Sequence, residues 1–201
     1  MDITDEIQRQ HDEQRHAFAV LEQWPREDTD GLAALWRRLA IFLENHAEAE
    51  ELYFYPEVLA LGTGAADAPD AEEETEDALS DHNNIRKAIR KVDRARTGSS
   101  AWWTAVTDCN LHNSNHMAEE ERQDLADFRQ QASLQLRHEI AVAFLRHEAV
   151  HGAKGVKPVD LDPEEYLSNN AHHGPVAKAK KSAGPRRKST KASKGAVDEG
   201  S

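Results

Sequence analysis

Histidines recur through the first 120 residues at nearly constant intervals. Successive members are separated by 35, 36 and 34 residues, and they are His11, His46, His82 and His116. One helix and one turn take about that length, so each of four helices would deliver one imidazole at a similar level. Imidazole is the commonest side-chain metal ligand. The spacing therefore predicts a metal site enclosed by four helices.

Two of these histidines are followed by a glutamate four residues later, as His46–Glu50 and His116–Glu120. Residues four apart share a helix face, so each carboxylate points to the same side as its imidazole. The order His, then His-x-x-x-Glu, occurs twice with offsets of 71 and 70 residues, which indicates approximate two-fold symmetry. Such a set suits two metal ions bridged by the carboxylates. Nitrogen and oxygen ligands without thiolate favour iron, with manganese or zinc as alternatives.

A lone buried histidine is usually a core residue that hydrogen bonds satisfy. Four on the core faces of four helices, two of them with inward carboxylates, are not explained in that way. Burying so many polar groups costs free energy unless a metal or dense hydrogen bonding compensates. We therefore interpret the six side chains as one ligand set.

The elements that must position this set are amphipathic segments of helical period. Apolar residues recur at steps of three and four in about 3–24, 31–55, 71–96 and 101–128. A fifth such segment, 134–150, is expected to pack outside the bundle. The prediction is an all-α fold, an up-down four-helix bundle over 1–130 with an accessory helix and extension over 131–167.

Charge and composition divide the chain. Residues 175–201 contain eight Lys or Arg and two Asp or Glu, so this tail carries +6 while the remainder of the −12 chain carries −18. From about residue 168 the composition is too poor in apolar residues to fold, so we expect a disordered basic tail. We favour a solvated tail over one that binds nucleic acid, because no aromatic residues interleave its basic residues.

The acidic N-terminus, the short apolar runs and the single cysteine, Cys109, favour a cytoplasmic protein without membrane contact.

The order of the six ligands resembles that of the hemerythrin-like, or HHE cation-binding, family. Residues 46–56, HAEAEELYFYP, are similar to that family's second helix, and residues 116–122, HMAEEER, to its fourth. The resemblance covers about residues 1–130. It implies two non-haem iron ions, joined by an oxo or hydroxo bridge, that meet O2, hydrogen peroxide or nitric oxide. Oxygen carriers of the family have a pair of His four apart on the third helix, whereas Ala78 and Arg86 flank His82 here, so one ligand is missing.

Two functions follow from this resemblance. One is a redox-active di-iron protein that reacts with peroxide or O2, with catalase-like peroxide detoxification as its enzymatic form. The other is a module that senses or binds O2, nitric oxide or iron without turnover. The missing ligand favours the first, because it leaves a position on iron open to exchange.

Tyrosines and a further histidine lie close to the ligands in the sequence. Tyr53 is on the face of Glu50 and is a candidate catalytic residue, either as a hydrogen-bond donor to the bound oxygen species or as a ligand; a core aromatic is the equal alternative. Tyr55 is off that face on an ideal helix, although Pro56 can distort the last turn. His112 is one turn before His116 and is expected to be a core residue rather than a donor to the site.

A competing motif is His147-Glu148-Ala149-Val150-His151, which matches the H-E-x-x-H signature of zinc peptidases. Catalytic zinc needs a third protein ligand. The extended signature places Gly and His after the second histidine, where this chain has Lys154 and Lys157. We therefore rank a zinc peptidase below the di-iron hypothesis.

Overall fold

A computed structural model describes residues 1–66 and 70–170 of the chain. Within those ranges it contains helices and no strand. The helices are α1 (Ile3–Gln23), α2 (Thr29–Tyr53), α3 (Tyr55–Leu61), α4 (Ala71–Arg94), α5 (Ser100–Arg122), α6 (Asp124–Gln131), α7 (Leu134–His151) and α8 (Pro163–Asn170).

The four long helices α1, α2, α4 and α5 form the bundle. Helix α1 packs on α2 and α5, and α4 packs on α5 and α2. The predicted all-α bundle is thereby confirmed, and the four segments that carry the histidines are its four members. In the described part of the chain, no helix is long and apolar enough to cross a membrane.

Side-chain caps fix where these helices begin. Asp2, Asp28, Asp70 and Ser99 each accept a hydrogen bond from a backbone N–H in the first turn of α1, α2, α4 and α5, respectively. Such caps satisfy amide groups that the helix itself leaves unpaired. The turn before α5 contains Gly98, whose φ of 75° is favourable for glycine. Local sequence thus sets the start of each bundle helix.

Both helices with a His-x-x-x-Glu motif end soon after the glutamate. Helix α2 ends at Tyr53 and α3 begins at Tyr55, because Pro56 has no N–H with which to continue the helical ladder. Helix α5 ends at Arg122, whereas the sequence predicts a single helix that continues to residue 128. Gln123 leaves the helical conformation, with φ −104° and ψ −85°, and α6 follows. No Pro or Gly marks that break, so periodicity could not locate it.

The C-terminal helices α7 and α8 pack on different helices of the bundle. Helix α7 packs against α1 and α2 and buries Ile140 and Phe144. Helix α8, which was not predicted, packs on α4 and α3, and its Tyr166 hydroxyl donates a hydrogen bond to the carbonyl of Glu51. It extends past residue 168, where we expected the tail to begin. The remainder of the predicted tail lies outside the described residues.

The apolar core is divided into two clusters. One contains Ile7, Phe54 and Phe144, and the other contains Trp36 and Trp102. Buried polar side chains lie between the clusters, a set we call the polar layer: His11, Gln14, Asn45, His46, Glu50, His82, Arg86, Asn113, His116 and Glu120. A layer of that composition through the middle of a small core requires a compensating interaction.

Candidate metal centre

The structure brings all six predicted ligands together in the polar layer, and none is more than 3% exposed. Their ligand atoms form two groups, each within 4.8 Å. The groups are His11, His46, Glu50 and Glu120, and Glu50, His82 and His116. The first pair of histidines comes from α1 and α2 and the second from α4 and α5. Glu50 belongs to both groups.

The carboxylate of Glu50 spans the two groups. Its Oε1 is 2.8 Å from Nε2 of His46, and its Oε2 is 3.3 Å from Nε2 of His82. Oε2 of Glu120 lies 3.1 Å from Nε2 of His11 and 3.9 Å from Nε2 of His116. Each carboxylate therefore faces one histidine of either pair, which is the placement a bridging carboxylate requires.

Three of the four imidazoles are held through their outer nitrogen. Nδ1 of His11 is 2.9 Å from Glu121, Nδ1 of His46 is 2.7 Å from Gln10, and Nδ1 of His82 is 2.9 Å from Glu51, in each case to a side-chain oxygen. The oxygen accepts a hydrogen bond from Nδ1–H, which leaves the lone pair of Nε2 available to the centre. This is the tautomer and the outer support typical of metal-binding histidines.

These supports extend the internal repeat beyond the predicted ligands. Glu51 on α2 supports His82, and its counterpart Glu121 on α5 supports His11. Each motif is therefore His-x-x-x-Glu-Glu, in which the second glutamate serves the other half of the bundle. Our sequence analysis missed these residues, although the doubled glutamate in both halves was the signal.

Each supporting glutamate accepts a hydrogen bond from an arginine. Arg86 donates to Glu51 at 2.8 Å and Arg15 donates to Glu121 at 2.6 Å. Both arginines follow a histidine by four residues, as His11-x-x-x-Arg15 and His82-x-x-x-Arg86. Arg86, one of the two residues four away from His82, binds Glu51 instead of reaching the centre.

Electrostatics in the layer favour cations. Burial lowers the pKa of His11, but the adjacent carboxylates of Glu120 and Glu121 outweigh that effect and raise the pKa to about 9. The same balance with Glu50 and Glu51 raises the pKa of His82 to about 9. Burial and the neighbouring His82 hold the pKa of His116 well below its usual value. The carboxylates thus attract positive charge, which protons or metal ions can supply.

Several atoms that face the centre lack a hydrogen bond within the described residues. They are Nε2 of His11 and His46, both side-chain oxygens of Glu50, and Oε2 of Glu120. Buried polar atoms without partners are costly, and metal coordination would satisfy them. Two Nε2 atoms, those of His82 and His116, also lie only 3.1 Å apart. The donor set therefore fits a pair of metal cations held by imidazoles and bridging carboxylates.

The tyrosine beside the centre is Tyr55. Its hydroxyl is fully buried and donates a hydrogen bond to Oε1 of Glu120 at 3.0 Å. Burial and the nearby Glu120 raise its pKa well above the usual value, so it keeps its proton. Tyr53, the predicted candidate, is half-buried and packs its ring against His147. The helix break at Phe54 turns Tyr55 inward, which an ideal helix would not do.

The other flagged residues lie outside the centre. His112 is half-buried near Asp81. His147 pairs with Glu48 at 3.1 Å and stacks on His151, while Glu148 accepts a hydrogen bond from Gln10. Neither His147 nor His151 belongs to a metal-binding group among the described residues. The structure therefore supplies no third ligand for a peptidase zinc.

Comparison with known proteins gives one match. The sequence model of the hemerythrin HHE cation binding domain matches residues 2–128. This range contains all six clustered residues and the four bundle helices. No curated protein and no solved structure matches the chain.

Proposed function

The chain belongs to the hemerythrin HHE cation-binding family, and we propose that it holds two iron ions with which it binds or consumes O2 or hydrogen peroxide. The observation that carries this proposal is the paired ligand set. Each half of the bundle offers two imidazoles, and Glu50 and Glu120 lie between the halves. Imidazole and carboxylate ligands without thiolate suit non-haem iron.

In this proposal His11 and His46 would hold one ion and His82 and His116 the other, with Glu50 and Glu120 as carboxylate ligands between the two pairs. Bound iron would supply the one-electron redox steps through which O2 or peroxide reacts. Tyr55 takes the role that we predicted for Tyr53, because its hydroxyl is close to Glu120 and can donate a hydrogen bond to a small oxygen species.

Consumption of peroxide is favoured over reversible oxygen storage. Ala78 and Arg86 flank His82 at the spacing where the carriers have a pair of histidines, so one ion would have fewer protein ligands and a position open to exchange. The second candidate is a sensor of O2, nitric oxide or iron without turnover, and the same ligand set supports it. The two differ in one measurement: the iron-loaded protein evolves O2 from peroxide only if it is an enzyme.

Elemental analysis of protein expressed in iron-rich medium tests the metal assignment. We expect about two irons per chain, and we expect His46→Ala or His116→Ala to remove most of this iron. His147→Ala is the matched control and should retain it, because His147 pairs with Glu48 away from the centre. Stoichiometric zinc with negligible iron, or loss of metal in the folded control, would overturn the assignment.

A further inference from the structure

A narrow cleft between α4, α5 and α6 runs from the surface to the metal centre. Its outer wall contains the exposed Asp77 and Glu119, and its inner end is formed by His116 and Glu120. The cleft encloses a cavity of about 10 Å³, which is roughly enough for one water molecule. Water and small ions are the species that can occupy it.

The cleft is lined with carboxylates from its mouth to its inner end, and no Lys or Arg is among the described residues that line it. The carboxylates are Asp77, Glu119, Asp81, Glu74, Asp124 and Glu120. Their exposure falls from the mouth inward, since Asp77 and Glu119 are exposed, Asp81 is intermediate, and the other three are buried. A passage walled by one sign of charge concentrates ions of the other sign.

Two buried oxygens in the cleft lack a partner. Oδ1 of Asp124 and Oε2 of Glu74 accept no hydrogen bond from the described residues, although these side chains are only 2% and 1% exposed. Burial and the nearby Asp127 and Asp70 raise the pKa of Glu74 to about 7. Carboxylate oxygens held in this way are ligands for a hard divalent cation, which would relieve both their isolation and their mutual repulsion.

A second cleft borders the centre but suits a cation less well. It lies between α1, α2 and α7, has a volume of about 840 Å³, and reaches Gln10, the residue that supports His46. Arg9 and Arg38 line its walls, so it lacks the uniform negative charge of the first cleft.

We propose that the acidic cleft is the route by which metal ions enter, and that Asp124 and Glu74 bind the ion transiently before it reaches Glu120 and His116. The inference rests on the proposed function, because it requires that the centre binds metal. It concerns the rate of loading, whereas the proposed function concerns the final metal content, so the two can fail separately.

The test follows Co²⁺ binding to the metal-free full-length protein by stopped-flow absorbance, with final content measured by elemental analysis. In the inner variant, Glu74→Gln with Asp124→Asn, the amides keep the shape but remove two charges. We expect loading to slow by about tenfold or more, with a weaker dependence on salt and unchanged final content. The exposed rim variant, Asp77→Asn with Glu119→Gln, carries no folding risk and should slow loading by a smaller factor.

The matched control is Asp12→Asn with Glu13→Gln, which removes the same charge from the wall of the second cleft. It should load at the parental rate. Parental rates in both cleft variants, or equal slowing in the control, would refute the route. Loss of final cobalt content in a folded inner variant would show that Asp124 and Glu74 are permanent ligands instead. A parent protein that binds no cobalt or iron would refute the proposed function itself.

Discussion

Each supporting glutamate connects a ligand in one half of the bundle to the opposite half. Glu51 on α2 holds His82 on α4 and is itself held by Arg86, and all three side chains are buried. An anchored carboxylate fixes the ring orientation and raises the basicity of the imidazole. The support of a ligand is therefore as much a part of the centre as the ligand.

We expect Glu51→Gln to weaken metal binding by about 10- to 100-fold, because the amide is a poorer acceptor for Nδ1 of His82. Competition titration against a chelator of known affinity measures this change. Glu48→Gln, three residues earlier on α2, is the control, since Glu48 pairs with His147. Equal affinity in the two variants would show that Glu51 has only a structural role.

Tyr55 gives a second prediction at this scale. Tyr55→Phe should keep the iron content but change the visible spectrum or the rate of peroxide consumption, because it removes the hydroxyl that donates to Glu120. Tyr53→Phe should change neither, since Tyr53 contacts His147. An effect confined to the Tyr53 variant would contradict the assignment.

At the scale of the residue, the sequence was informative about side chains that recur at helical spacing on one face of a helix. The clustering of the six side chains could be predicted, because each lies on the inner face of its helix. Tyr55 could not be assigned to the centre, because its direction depends on the backbone at Phe54 rather than on helical period. Gln10 could not be recognised as a support, because it acts on a histidine of another helix and no repeat marks it.

Among the elements, α7 contacts the centre directly, although it lies outside the four-helix bundle. Its Phe144 is fully buried and packs edge-on against His46 with 5.9 Å between ring centroids. The helix therefore covers one side of the ligand set, and its removal would expose His46 to solvent.

Phe144→Ala should lower the free energy of unfolding by about 3–5 kcal/mol, because it leaves a cavity behind His46. Urea denaturation of the metal-free protein measures this loss. Val142→Ala on the same helix is the control and should stay within about 0.5 kcal/mol, since Val142 is 44% exposed. Similar losses in both variants would indicate a general effect on the propensity of α7.

A helix could be predicted where its sequence has an apolar stripe of helical period. Helices α1 and α4 have clear apolar stripes, and their predicted bounds agree with the structure to within two residues. The break at Gln123 and helix α8 had no such signal. Helix α8 is short, and it is held by contacts from far away in the sequence, such as Tyr166 with Glu51 and Leu161 with Asn83.

For the whole molecule, the polar layer makes stability depend on pH. The pKa values of His11 and His82 are raised from 6.5 to about 9, because the adjacent carboxylates outweigh the effect of burial. The folded protein binds these protons more tightly than the unfolded chain. Their stabilisation is therefore complete below pH 6.5 and is lost as the pH rises through 9. His116, whose pKa is lowered, opposes folding only below pH 6.5.

The metal-free protein should accordingly lose stability between pH 6.5 and about 9, by up to about 1.4 kcal/mol per pH unit for each of the two histidines. Urea denaturation with a chelator present gives the profile. The metal-loaded protein should lack this fall, because metal replaces the protons. A flat profile for the metal-free protein would show that its carboxylates are balanced by other groups.

The sharing of Glu50 between the two ligand groups has a mechanical consequence. Metal ions bound there would be a crosslink between the first pair of bundle helices and the second, made through groups far apart in the sequence. Cys109 is the chain's single cysteine, so an intramolecular disulfide cannot do this. Such a crosslink closes long loops of chain between the residues that it joins, and it therefore restricts the unfolded chain. In the chain-entropy description of crosslinks this contributes on the order of 4 kcal/mol to the free energy of unfolding. The centre would then also stabilise the fold as a crosslink between the two pairs of helices.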